Sequence, residues 1–288
     1  MNKVQLPPYD DSIAFENLSK NERLGSYPHL KDSVCPVQTS YAQYTIVKGT
    51  PTLVKGQAIS DAVADFMKGH YASPPAELFY ITEMRDSTEH LSCPMCGSMH
   101  SGTLDHYLPQ NKFPIFAVFS KNLVPACKCN SKRKETLLGL APGERVLHPY
   151  FDECLGERLV RAHFEDFGEV PKVSLALMVS NTHPHYSAIS FHVRSIVQRS
   201  AIVKYLADRW SSLFRKPSRV VRAFAANIAT QADVQALLEA ERDALDDLHK
   251  GKNNWNSIFV SGLLDPPVLA WLAGRLSLPG RAPDDPLG

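Results

Sequence analysis

The sequence predicts an α+β fold in which a small metal-stapled unit sits between an irregular N-terminal region and a mainly α-helical C-terminal region. Three observations carry this. Four of the six cysteines fall between positions 93 and 129, in a segment of short apolar bursts broken by Pro, Gly and Asn. Val173, Leu175, Leu177 and Val179 alternate with other residues, the period of two that marks a strand. From Ile189 the apolar residues step by threes, fours and a seven through Val193, Ile196, Val203, Leu206, Trp210 and Leu213, a helical stripe that reads as core.

In chain order, residues 1–55 are rich in Pro, Ser, Tyr and Asn and weakly periodic, which predicts irregular structure with short strands, for example around Tyr44–Val47. Ile59, Ala62, Val63, Phe66 and Met67 recur at helical spacing, and Gly69 follows as a stop. A short helix from Pro75 to Met84 would deliver the chain to Cys93. The helix that begins at Ile189 should end at Lys216-Pro217. A further helical stretch covers about 218–249, with a break near Thr230, where Thr230 and Asp233 resemble a capping box. After the loop 250–254, a last helix covers Trp255–Leu263 or continues after Pro267. The tail from Pro279 should be disordered. The expected divisions are 1–92, 93–150, 151–278 and 279–288.

The chain has 288 residues, 44% of them hydrophobic, enough to bury a sizeable core. Its formal net charge is +1, so no global basic excess announces a nucleic-acid partner. Residues 93–150, however, hold 7 Lys/Arg against 3 Asp/Glu. A local basic segment in a neutral protein fits a local phosphate site better than a long tracking surface. No apolar run reaches the roughly 18 residues of a membrane helix, and the first residues lack the apolar core of a signal peptide. The chain therefore reads as cytoplasmic, where cysteines serve as thiols or metal ligands rather than disulfides.

Four pieces of the basic segment carry chemistry. Cys93-Pro94-Met95-Cys96-Gly97 spaces two thiolates as half of a tetrahedral zinc site, beside a glycine that permits a tight backbone. Asp105-His106 precedes Tyr107, Leu108 and Pro109. Asn122-Leu123-Val124-Pro125 follows. Cys127-Lys128-Cys129-Asn130 closes the set, with Lys132, Arg133 and Lys134 behind it. Each piece alone is weakly specific; the order within one short segment is what is informative. Solitary core cysteines do not pair at such spacing.

The segment from Cys93 to Lys134 resembles the HNH, or ββα-metal, endonuclease motif in its zinc-stapled form. Larger bacterial proteins of the anti-phage defence type carry the motif. Leu147 to Asp152, the helix around 189–214 and the run Gly251-Lys252-Asn253-Asn254-Trp255 are similar to regions of such proteins. The resemblance implies a metal-dependent endonuclease that hydrolyses DNA by nicking or double-strand cutting. His106 would take the proton from the attacking water, a role suited to its near-neutral pKa. Asp105 and Asn130 would hold Mg²⁺ or Mn²⁺. Asn122 would tie the loop between the two strands and hold His106 in place. Lys132, Arg133 and Lys134 would contact phosphates. Cys93, Cys96, Cys127 and Cys129 would bind a separate, structural Zn²⁺ that makes up for a core too small to hold the unit.

One departure stands out. The second cysteine pair of the family is usually Cys-x-x-Cys, and here it is Cys127-Lys128-Cys129. Residues two apart on an extended strand point the same way, so both can bind; otherwise His100 or Cys154 replaces one. Packing is the better reading of His148 and Trp255, and a surface position of His183 and His185. Weak global charge is compatible with recruitment by a partner ATPase or sensor. The competing functions are a zinc module that binds nucleic acid or protein without catalysis, and an RNA-cleaving enzyme of the same chemistry.

Overall fold

The computed structural model describes residues 1–87, 91–226, 228 and 230–288. Four helices precede the cysteines: α1 (Asp11–Lys20), α2 (Val34–Ile46), α3 (Asp61–Ala72) and α4 (Phe79–Asp86). The region expected to be irregular with short strands is therefore helical. In α2, Val37, Ser40, Tyr41 and Tyr44 are buried at spacings of three and four, a helical face hidden in the sequence by β-branched and aromatic residues that favour strands. The Ser60 side chain caps α3 by accepting the Val63 N–H, and the helix runs past Gly69 to Ala72, because a lone glycine weakens a helix without ending it.

Two short strands, β1 (Thr103–His106) and β2 (Leu123–Ala126), pair antiparallel with His106 opposite Leu123 and Asp105 opposite Val124. A single helical turn follows, α5 (Cys129–Lys132). Beyond it, β3 (Val160–Glu165) and β4 (Lys172–Leu177) form a second antiparallel hairpin. The alternation that marks β4 was visible in the sequence. Its partner was not, since the inward residues Val160, Ala162 and Phe164 are separated by Arg161 and His163.

The helical region comprises α6 (Tyr186–His192), α7 (Ile202–Arg215), α8 (Gln231–Leu248), α9 (Trp255–Leu263) and α10 (Pro266–Leu276). The stripe expected as one helix from Ile189 is two helices, joined by a π-helical segment at Val193–Val197 and a turn. Val193, Ile196 and Val197 remain buried through the irregularity. The helical stretch expected from residue 218 is broken at Thr230, as its capping box suggested: short 3-10 turns at Pro217–Arg219 and Arg222–Ala225 come before it and α8 starts at Gln231 behind it; residues 227 and 229 lie outside the described residues. Helix α9 lies so close to β3 that a Cβ on Gly262 would come within 2.7 Å of the Ala162 Cβ. The tail does not behave as a disordered segment. Leu287 is buried and donates its N–H to the Phe214 carbonyl, while the Asp284 carboxylate accepts the N–H and hydroxyl of Ser218.

The expected regions share one continuous apolar core, from Phe15 and Tyr44 through Phe116 and Val124 to Trp210, Phe259 and Leu272. Among the described residues no single helix is long and apolar enough to cross a membrane; α9 and α10, the one bent pair of suitable composition, meet at 76°.

Candidate functional site

The four cysteines converge. Their sulfur atoms all lie within 4.8 Å of one another, with Cys93 and Cys129 Sγ 3.7 Å apart and Cys96 and Cys127 Sγ 3.5 Å apart. A tetrahedral zinc with Zn–S bonds of about 2.3 Å requires sulfurs about 3.8 Å apart, so the donor set fits Zn²⁺. The shortened Cys127–Cys129 spacing works through a turn and not an extended strand. Lys128 adopts the right-handed helical conformation, which lets the Cys129 N–H donate to Cys127 Sγ at 3.3 Å. The Cys127 N–H donates in turn to Cys93 Sγ. Four sulfurs this close repel one another once ionised, so they can all be thiolates only with a cation among them. Cys154 is buried elsewhere, its pKa pushed up to about 12 by burial, and His100 is exposed; neither joins the cluster.

The knuckle is fastened to the helical region. Gly97 has φ +79°, and a Cβ there would come within 2.0 Å of the Asn253 carbonyl oxygen. Trp255 donates its indole N–H to the Cys96 carbonyl and its backbone N–H to the Gly97 carbonyl. The Asn253 side chain accepts from the Leu159 N–H, and Asn254 caps α9. His192 bridges the Leu147 N–H and the Met95 carbonyl. The sequence offered little sign of this histidine, which stands in an otherwise apolar helical stripe.

His106 ends β1 and is 4% exposed. Its Nε2 lies 2.8 Å from the Ala117 carbonyl oxygen, which can only accept. That contact places the proton on Nε2 and leaves Nδ1 as the basic nitrogen. Burial lowers the His106 pKa, so the ring is neutral at physiological pH. Tyr71 packs edge-on against the imidazole with ring centres 4.2 Å apart.

Asp105, half-buried beside it, accepts the His106 N–H through Oδ1 at 2.8 Å. Asn122 is fully buried. Its Oδ1 accepts from the Leu108 N–H and the Tyr44 hydroxyl, and its Nδ2 donates to the Leu108 and Phe116 carbonyls. The amide thereby closes the loop between β1 and β2, whose Ala117 carbonyl orients His106. His148 packs behind this tie with Nε2 3.0 Å from the Tyr44 hydroxyl, and burial pushes its pKa down to about 3. That is the packing role expected of it.

The basic run divides. Lys132 and Lys134 are exposed, but Arg133 is 2% exposed. Its guanidinium donates to the Asn130 side-chain oxygen at 2.6 Å and to the His106, Tyr107 and Thr136 carbonyls. Arg133 therefore straps α5 to the end of β1, and the expected phosphate contact is corrected: its donors already have partners inside the protein. Asn130 is also buried, its Nδ2 donating to the His106 carbonyl at 3.1 Å. Its side-chain oxygen has one lone pair left beyond the bond from Arg133. A hard divalent cation here would have the Asp105 carboxylate and that remaining Asn130 lone pair to bind.

No protein-family model matches the chain, and no solved structure does. The chain is 34% identical over 94 residues to "Protein ea31" of Escherichia phage lambda, an alignment covering 31% of this chain and 31% of that protein.

Proposed function

We propose that the chain is a metal-dependent endonuclease of the HNH type, acting on DNA. One observation carries this reading: His106, held neutral with Nδ1 as its basic nitrogen, stands at the end of β1 beside Asp105, and α5 is strapped to the same strand end through Asn130 and Arg133. A general base must be unprotonated and oriented, and the Ala117 carbonyl and burial achieve both. Asp105 would hold Mg²⁺ or Mn²⁺, with Asn130 contributing through its free lone pair. A bound cation there would neutralise phosphate charge and assist the departing oxygen. Asn122 acts by position, fixing the loop that aims His106. The cysteine cluster is separate and would hold Zn²⁺ for stability. Lys132 and Lys134, both exposed, would meet neighbouring phosphates. Action in anti-phage defence, with a partner ATPase or sensor, belongs to the same proposal and draws on the resemblance of the motif.

A second reading has its own observation. The Arg133 bond takes one lone pair of the Asn130 oxygen and leaves Asp105 as the stronger ligand for a divalent cation, a sparse set that favours a zinc module binding nucleic acid without cutting it. Supercoiled plasmid incubated with the protein and Mg²⁺ or Mn²⁺, against an EDTA control, separates the two. Nicked or linear product supports the nuclease; intact plasmid that shifts on a gel supports the binding module. Structured RNA in parallel identifies an RNA-cleaving enzyme.

A further inference from the structure

With the Arg133 guanidinium turned inward, a different cation stands near His106. Arg85 lies in the last turn of α4, eight residues before Cys93. Its guanidinium carbon sits 4.7 Å from the centre of the Tyr71 ring, whose other neighbour is the His106 imidazole. Arg85 also donates to the Tyr71 carbonyl, and the Tyr71 hydroxyl donates to the Leu104 carbonyl on β1. Tyr71 thus touches the cation with its ring and the imidazole edge-on, and its hydroxyl anchors the group to the strand that carries Asp105 and His106.

Arg85 is exposed and has no carboxylate partner among the described residues. Among the described residues its planar fork is bonded only to the Tyr71 carbonyl. A guanidinium of this kind suits two oxygens of a phosphate.

We propose that Arg85 is a catalytic residue that clamps the scissile phosphodiester opposite Asp105, with Tyr71 as the platform holding its guanidinium beside His106. This rests on the nuclease reading. Charge gathering on the phosphate oxygens in the transition state would meet a fixed donor, and removing one such donor commonly lowers kcat about 10²–10³-fold. The exposure of Arg85 makes its replacement compatible with folding.

The test uses the full chain, zinc-loaded, in single-turnover cleavage of a DNA duplex with Mn²⁺. Arg85→Ala is expected to slow cleavage about 100-fold or more, with KM changed far less. Arg85→Lys should recover part of the rate, and added guanidinium at non-denaturing concentration should rescue Arg85→Ala. Arg85→Ala cleaving at the wild-type rate would overturn the assignment while leaving the nuclease reading intact. So would a slow variant that neither lysine nor guanidinium improves, because that pattern belongs to lost packing on Tyr71. If the wild-type protein cuts nothing, the nuclease reading fails and this assignment fails with it.

Discussion

Replacing His192 with alanine should unfasten the metal unit from the helices behind it. His192 is fully buried on α6, accepting the Leu147 N–H at 3.0 Å through Nδ1 and donating from Nε2 to the Met95 carbonyl at 2.7 Å. Met95 lies between the first two cysteines, so the imidazole joins helix to knuckle. Truncation leaves a buried donor and a buried acceptor without partners, at about 1–3 kcal/mol each, and adds a cavity. A total loss of about 3–5 kcal/mol follows, a large part of the roughly 5–15 kcal/mol that keeps a domain folded.

The pH dependence supplies a second signature. Burial pushes the His192 pKa down to about 4 from an ordinary 6.5. Between those values the unfolded chain binds a proton that the folded chain refuses. Stability therefore falls as pH drops from 6.5 towards 4, by up to about 1.4 kcal/mol per unit from this one residue. His148 acts in the same direction in both proteins, and so does release of zinc from protonated thiols. The difference between wild type and His192→Ala is thus the readout. Urea unfolding followed by circular dichroism, with zinc present and pH stepped across that window, measures both quantities. A loss below about 1 kcal/mol, or equal pH slopes in the two proteins, would refute the reasoning.

Other predictions follow from the same geometry. The purified protein should carry one zinc per chain by elemental analysis, and Cys129→Ser should lower zinc affinity by more than about 100-fold, since even losing an outer hydrogen-bond partner costs 10–100-fold. Arg133→Ala should cost about 3 kcal/mol or more in urea unfolding, as it strips the donor from the Asn130 oxygen and three carbonyls. Lys132→Ala and Lys134→Ala should instead leave stability within about 0.5 kcal/mol and each reduce the salt slope of DNA binding by about one.

How much of this was legible in the sequence varies with the residue. The cysteine cluster was, because thiolates at knuckle spacing need one another, and the turn at Lys128 explains how the shortened pair closes. The β1–β2 pair and the place of Asn122 were legible through the resemblance. Arg133 was not. A basic run reads as a solvated or phosphate-facing surface, and only the fold shows three carbonyls and an amide converging on the middle residue. Arg85 was hidden for another reason: it reaches His106 through Tyr71, and neither residue lies in the cysteine segment. In the helical region, periodicity located the buried face of Ile189–Leu213 except at Val203, which is exposed where Ile202 takes the inward place, and it missed the π-helical segment, which keeps Val193 and Ile196 inward. The N-terminal region was misread where Val, Tyr and Thr on α2 favoured strands by composition while their spacing followed a helix. The tail from Pro279 was misread because composition registers Pro and Asp, not the seat that Phe214 and Ser218 make for Leu287 and Asp284.

The central claim is that His106 is the general base of a metal-dependent nuclease. The most direct measurement compares single-turnover DNA cleavage by the wild type and His106→Ala with Mg²⁺ or Mn²⁺, alongside zinc content and unfolding midpoint, with His106→Asn as a second variant of the same site. The predicted result is a rate loss of about 10²–10⁴-fold with zinc retained and the protein folded. A folded, zinc-loaded His106→Ala protein that cuts DNA at the wild-type rate would contradict it.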